Sequence, residues 1–248
     1  MRRTVLLLLA GLLAGAADGK RSGYLDASPQ TRAMQDDDAA NPGLLWVRQG
    51  ETLWSEAVGG QSCASCHGQA ERSMVGVAAR YPAFDPALGR PITLDGRIRQ
   101  CRAERQGAGD LAVDSDGLLA LSAYIGLQSR GMAMAVNGDG PARPFLEAGR
   151  ALFETRMGQL NLSCAQCHDG QAGQRLAGSV IPQGHPNGYP QYRLEWQTMG
   201  SLYRRLRNCL NGVRATPFGP DDPALVNLML FLGWRANGLA VEVPAVRP

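Results

Sequence analysis

Two stretches of this chain hold the chemistry. Cys63-Ala64-Ser65-Cys66-His67 and Cys164-Ala165-Gln166-Cys167-His168 share the spacing C-x-x-C-H. Two thiols three residues apart on one helical turn can add to the two vinyl groups of a haem. The adjacent histidine then lies beneath the iron as its proximal ligand. One such motif could be a redox C-x-x-C followed by a stray histidine. Two of them, at matching places in one chain, point to two covalently bound haem c groups. His67 and His168 are the expected proximal ligands, and Cys63, Cys66, Cys164 and Cys167 the expected tethers.

Each iron needs a second axial donor. His185 is the only other histidine and has no counterpart in the first half. Met74, Met132, Met134, Met157, Met199 and Met229 do not fall at matched positions either. Cys101 and Cys209 do match, so His/Cys ligation is expected at both haems. The competing reading is a single disulfide joining Cys101 to Cys209, since exported proteins favour such bonds. A thiolate donates electron density to iron and favours its ferric state, which is unusual for a simple electron carrier. Around Cys209 stand Arg204, Arg205, Arg207 and Arg214, with Arg205 one helical turn before the sulfur. Arginine presents a planar fork of donors suited to an oxoanion or to haem propionates. Arg97 keeps the same spacing to Cys101.

These residues sit in an internal repeat. Gly50-Glu51-Thr52-Leu53-Trp54 matches Gly149-Arg150-Ala151-Leu152-Phe153 ahead of each motif. Behind each motif, Tyr81-Pro82 matches Tyr189-Pro190 and Arg97–Cys101 matches Arg205–Cys209. Tyr124-Ile125-Gly126 then matches Phe231-Leu232-Gly233. The second half has seven extra residues between motif and Tyr-Pro, placed around Gly178 to Gly188 in a loop rich in Gly and Pro. Trp46, Val47, Gly50, Leu53, Trp54 and Ala57 trace one helical face, as do Phe145, Leu146, Gly149, Leu152, Phe153 and Met157. A closing helix is expected from Asp222-Pro223. The Cys209 helix is expected to stop at Asn211-Gly212 in a left-handed turn. No alternation of apolar residues demands a sheet.

The expected fold is therefore all-α, with two tandem cytochrome c-like haem domains related by duplication. Residues 1–17 read as an export signal, with Arg2 and Arg3 before an apolar run too short to span a bilayer and small residues at Ala14-Gly15-Ala16. Residues 18–41 read as a polar arm without assigned structure, 42–140 as the first haem domain and 141–248 as the second, joined at Asn137–Pro141. The formal charge of +3 falls to +1 once the two arginines of 1–17 are removed, which makes no case for nucleic acid. After signal cleavage no membrane anchor is expected.

Tyr189-Pro190, Tyr192, Trp196, Gly200-Ser201 and Arg204-Arg205-Leu206-Arg207-Asn208-Cys209 resemble the signature of the SoxA family, dihaem cytochromes of the periplasmic sulfur-oxidation system. The resemblance runs from about Pro42 to the end of the chain. It implies a periplasmic L-cysteine S-thiosulfotransferase that pairs with a monohaem cytochrome of the SoxX type. It implies joining of thiosulfate to a cysteine of a SoxYZ-type carrier, with loss of two electrons. The family's reactive cysteine, able to carry extra sulfur as a persulfide, falls on Cys209. Its neighbouring arginine falls on Arg205, and a further arginine near the closing helix falls on Arg235. A thiosulfate dehydrogenase forming tetrathionate, and a non-catalytic dihaem electron carrier, are the competing functions; a dihaem peroxidase is more remote.

Overall fold

The computed structural model describes residues 19–248; the expected signal, 1–17, lies outside them. Ten helices order the described chain. They are α1 (Pro29–Asp36), α2 (Leu44–Ser55), α3 (Cys63–His67), α4 (Ala70–Ser73), α5 (Leu94–Arg105), α6 (Asp116–Leu127), α7 (Arg143–Glu154), α8 (Cys164–His168), α9 (Leu202–Gly212) and α10 (Pro223–Arg235). The helical expectation holds, and the duplication is visible in how the helices pack.

Gly50 and Gly149 show why the repeat keeps its glycines. α2 crosses α6 so closely that a Cβ at Gly50 would stand 2.1 Å from the Ala120 carbonyl oxygen. In the second half α7 crosses α10, and a Cβ at Gly149 would stand 2.0 Å from the Asn227 carbonyl oxygen. Only glycine permits backbone contact of this kind. Aromatic pairs flank both crossings, Trp54 against Tyr124 with ring centroids 6.0 Å apart and Phe153 against Phe231 at 5.4 Å. α6 and α10 are buried along most of their length and form the middle of one continuous core.

Short strands are present where none was expected. β1 (Ala83–Asp85) and β2 (Arg90–Ile92) form an antiparallel hairpin. β3 (Arg175–Leu176) and β4 (Ser179–Val180) make a second one where the longer loop of the second half begins. β5 (Gln191–Arg193) pairs with β6 (Thr198–Gly200) and, in parallel, with β7 (Ala245–Arg247). Strands of two or three residues are too short to show an alternating pattern. The β1–β2 and β5–β6 hairpins occupy the same place in the two halves, directly before α5 and α9.

Two local expectations change and a third holds. The arm at 18–41 contains α1, capped by Ser28, whose Oγ accepts from the Thr31 N–H, with Pro29 opening the helix. The arm packs on the end of the chain: Asn41 donates to the Pro244 carbonyl (2.9 Å), and the Val246 N–H donates to Gln35 Oε1 (3.0 Å). α9 does end at Gly212, but the residue with positive φ is Arg214 at 58°, two positions later. α10 opens as expected, with Asp222 accepting from the Ala224 N–H and Pro223 in its first turn.

Candidate functional site

Both C-x-x-C-H segments fold as one-turn helices closed by the same device. Ser62 Oγ accepts from the Ser65 N–H (2.9 Å), and Ser65 Oγ accepts from the Ser62 N–H (3.0 Å). In the second half Ser163 accepts from the Gln166 N–H (3.2 Å), and Gln166 Oε1 accepts from the Ser163 N–H (2.9 Å). These reciprocal caps fix the turn that sets the two thiols on one side with the histidine next to them.

The second histidine is held in the tautomer that metal ligation requires. A carbonyl oxygen can only accept, so the 2.7 Å contact of His168 Nδ1 with the Pro182 oxygen puts the proton on Nδ1 and leaves the Nε2 lone pair for iron. Burial, with the nearby Arg205 and Arg235 charges, holds this imidazole below its usual pKa, in the neutral form a ligand needs. Pro182 belongs to the seven-residue insertion, so the extra loop covers His168. Gly184, with φ of 75°, lies so close that a Cβ there would sit 3.0 Å from the imidazole ring. His67 is supported differently: it lies against Trp54, ring centroids 5.8 Å apart, while the Trp54 indole N–H donates to the Gly68 carbonyl (2.9 Å). This chemistry fits haem c at a C-x-x-C-H segment.

Each remaining cysteine lies at the motif of its own half. Cys101 on α5 is close enough to Cys63 and Cys66 for their charges to interact, and Cys209 on α9 is equally close to Cys164. Burial, helped by the Cys209 sulfur, pushes the Cys164 thiol to about 11. Burial likewise raises the Cys63 and Cys101 thiols. All six cysteines are free, so Cys101 and Cys209 are not bridged.

Arg205 lies one turn before Cys209, half-exposed, with Nη1 3.9 Å from Glu195 Oε1. The same carboxylate oxygen is 2.7 Å from Arg193 Nη2. Arg193 and Arg204 flank the Trp196 ring, their guanidinium carbons 5.0 and 4.3 Å from its centroid. Tyr189 stands within the field of Cys209, Arg205 and Arg193; burial raises its hydroxyl to about 12. Arg235 lies on the His168 side. It pairs with Asp169, stacks over Phe153 (4.4 Å) and donates to the Gln183 carbonyl (3.4 Å). Arg97 in the first half is paired with the buried Asp85.

Arg193 and Glu195 were missed from sequence. The signal was available: Arg193 is the repeat equivalent of Asp85, at the same offset of 108 residues that relates Arg97 to Arg205 and Cys101 to Cys209. Residue identity differs there, so a search for matching residues passes over it.

Comparison with known proteins agrees with this architecture. The family model described as SoxA/TsdA, cytochrome c domain, matches residues 49–134 and 148–241. The L-cysteine S-thiosulfotransferase subunit SoxA of Pseudaminobacter salicylatoxidans is 40% identical over 91% of this chain and 80% of that protein. The subunit of the same name from Paracoccus pantotrophus is 38% identical over 95% of this chain and 81% of its own length. The crystal structure of SoxXA from P. pantotrophus superposes with a TM-score of 0.89 at 37% identity, covering 92% of this chain and 87% of that one. With the duplicated cytochrome c-type fold and both C-x-x-C-H turns in place, the chain belongs to the SoxA family, subunits of the L-cysteine S-thiosulfotransferase of sulfur oxidation.

Proposed function

We propose that this protein is a periplasmic dihaem cytochrome in which Cys209 joins thiosulfate oxidatively to a cysteine of a SoxYZ-type carrier. The observation that carries this reading is a cysteine set beside the second haem motif with a half-exposed arginine one helical turn away. The relatives' activity, L-cysteine S-thiosulfotransferase, supports the reaction class, and the solved SoxXA complex supports a monohaem SoxX-type partner.

The two haem domains comprise 42–140 and 141–248. Cys63, Cys66, His67 and Cys101 would hold one haem c. Cys164, Cys167 and His168 would hold the other with Cys209. When bound, the second haem supplies an electron sink next to the reacting sulfur.

This chain's own residues do the rest. Arg205 docks the thiosulfate dianion, while Arg235, the other arginine the resemblance implies, is engaged by Asp169 and the Gln183 carbonyl on the His168 side. The terminal sulfur of thiosulfate is thereby brought to the Cys209 sulfur, and the S–S bond between these two reduced sulfurs forms as the pair gives up two electrons. Overall, one S–S bond forms between thiosulfate and the carrier cysteine, and two electrons and the thiol proton leave. The final hand-over is thiolate attack on a sulfur–sulfur bond, with Cys209 as the sulfur released. Hydrolysis of the Cys209–thiosulfate adduct, with water carrying the sulfonate away as sulfate, would leave one extra sulfur on Cys209 as a persulfide.

The test uses the mature protein with its monohaem partner, an oxidant for that partner, thiosulfate and the carrier. The carrier's mass should increase by the thiosulfate adduct. Tetrathionate formed without any carrier would instead identify a thiosulfate dehydrogenase.

A further inference from the structure

The two halves differ in sign at one place beside their axial-cysteine helices. In the first half the last residue of β1 is Asp85. Its buried carboxylate accepts from the Ala87 and Leu88 N–H groups (2.7 and 3.2 Å) and pairs with Arg97, the arginine one turn before Cys101. The Arg97 charge is thus neutralised from within. In the second half the last residue of β5 is Arg193. Its side chain is 11% exposed, and its buried Nε has no hydrogen-bond partner. At the repeat position of that acid stands a second guanidinium.

What lies between these two guanidiniums is a single carboxylate oxygen. Glu195 Oε1 is 2.7 Å from Arg193 and 3.9 Å from Arg205, and the Glu195 side chain is half exposed. An anionic oxygen bonded to one guanidinium and within ion-pair range of the other marks a place that a sulfonate oxygen would suit. An exposed carboxylate in that position gains little from the pairing and can swing into water. Trp196 keeps Arg193 in place by stacking. Gly200 makes room for the indole, since a Cβ there would meet the ring at 2.4 Å.

We propose that Arg193 and Arg205 together form the oxoanion site of the second half, that Glu195 is its displaceable internal occupant, and that Asp85 disables the equivalent site in the first half. This rests on the thiosulfate reading above and deepens it. Arg193 becomes a substrate-binding residue and Glu195 a competitor that sets affinity for the sulfonate end. The step is binding alone; no bond is made or broken in it.

The experiment compares KM for thiosulfate in the assembled holoprotein carrying Arg193→Asp, Arg193→Lys or Glu195→Gln. Arg193→Asp copies the first half and should raise KM about tenfold or more, the loss of a charged hydrogen bond. Arg193→Lys should recover part of it. Glu195→Gln should lower KM severalfold, with kcat moving less. Covalent haem content and the Soret spectrum check that each variant is assembled. Wild-type KM in Arg193→Asp overturns the proposal. So does an unchanged KM accompanied by a shifted midpoint potential of the second haem, which would assign Arg193 to the haem carboxylates. Calorimetric titration with thiosulfate separates this from the transfer reading. Binding that depends on Arg193 in a protein that transfers nothing keeps the site and sinks the transfer; transfer with binding indifferent to Arg193 does the reverse.

Discussion

Cys101 and Cys209 hold equivalent places one turn after Arg97 and Arg205, yet Arg97 pairs with a buried acid and the second half has another arginine at that acid's repeat position. The account therefore predicts different consequences for equal changes. Cys209→Ala should keep both haems covalently attached and lose thiosulfate conjugation, whereas Cys101→Ala should retain it; intact mass and carrier modification report the two properties. Arg205→Gln should raise KM for thiosulfate about tenfold or more, corresponding to about 1.5–3 kcal/mol for a charged hydrogen bond, and Arg97→Gln should leave KM alone. The Asp85–Arg97 pair also has a pH signature. The Arg97 guanidinium holds the Asp85 carboxyl below its usual 3.8. Its stabilising contribution is therefore full above that value and lost as pH falls through the lower folded-state pKa. Asp85→Asn should flatten this acid limb in urea-unfolding midpoints taken between about pH 5 and 2. At this scale the two C-x-x-C-H turns and the matched cysteines Cys101 and Cys209 were legible because their spacing recurs in both halves. Arg193 was not, because its meaning lies in a contrast between halves rather than in a motif.

Among the elements, the helix crossings and the loop over His168 carry the positioning. Gly50→Ala or Gly149→Ala would drive a methyl group into a carbonyl of the crossing helix. Each should cost about 3 kcal/mol, read as a fall in the urea midpoint. Gly184→Ala combines a left-handed backbone with a methyl against the imidazole. It should shift the spectrum and midpoint potential of the second haem and leave the first unchanged. In the same loop, burial first, then the Arg235 charge, depresses His185 to about 4 from 6.5. The unfolded chain then binds more protons across that window, so stability should rise with pH between about 4 and 6.5. His185→Gln should remove the slope. The long helices were readable from periodicity and from caps such as Asp222-Pro223. The same kind of signature, Ser28-Pro29, marked α1 inside a segment read as a plain arm. The short hairpins left no periodic trace, and pairing with the neighbouring strand, not strand propensity, defines them.

Across the whole molecule, the two halves share a core, and Arg99 of the first half reaches Asp221 of the second at 2.8 Å. Duplication built two similar lobes, and the seven-residue insertion and the charge reversal at Asp85/Arg193 then set them apart. The repeat itself was visible in the sequence, while the fit of the chain's end against its beginning, through β7 and α1, depends on contacts more than 200 residues apart, such as Val246 with Gln35. None of the described helices is long and apolar enough to cross a membrane. The measurement that bears most directly on the account is intact mass with peptide mapping of the exported protein, before and after exposure to thiosulfate and an oxidant. The account predicts two covalently attached haems and added sulfur on the peptide carrying Cys209. A single haem, or added sulfur on Cys101 with Cys209 untouched, would contradict it.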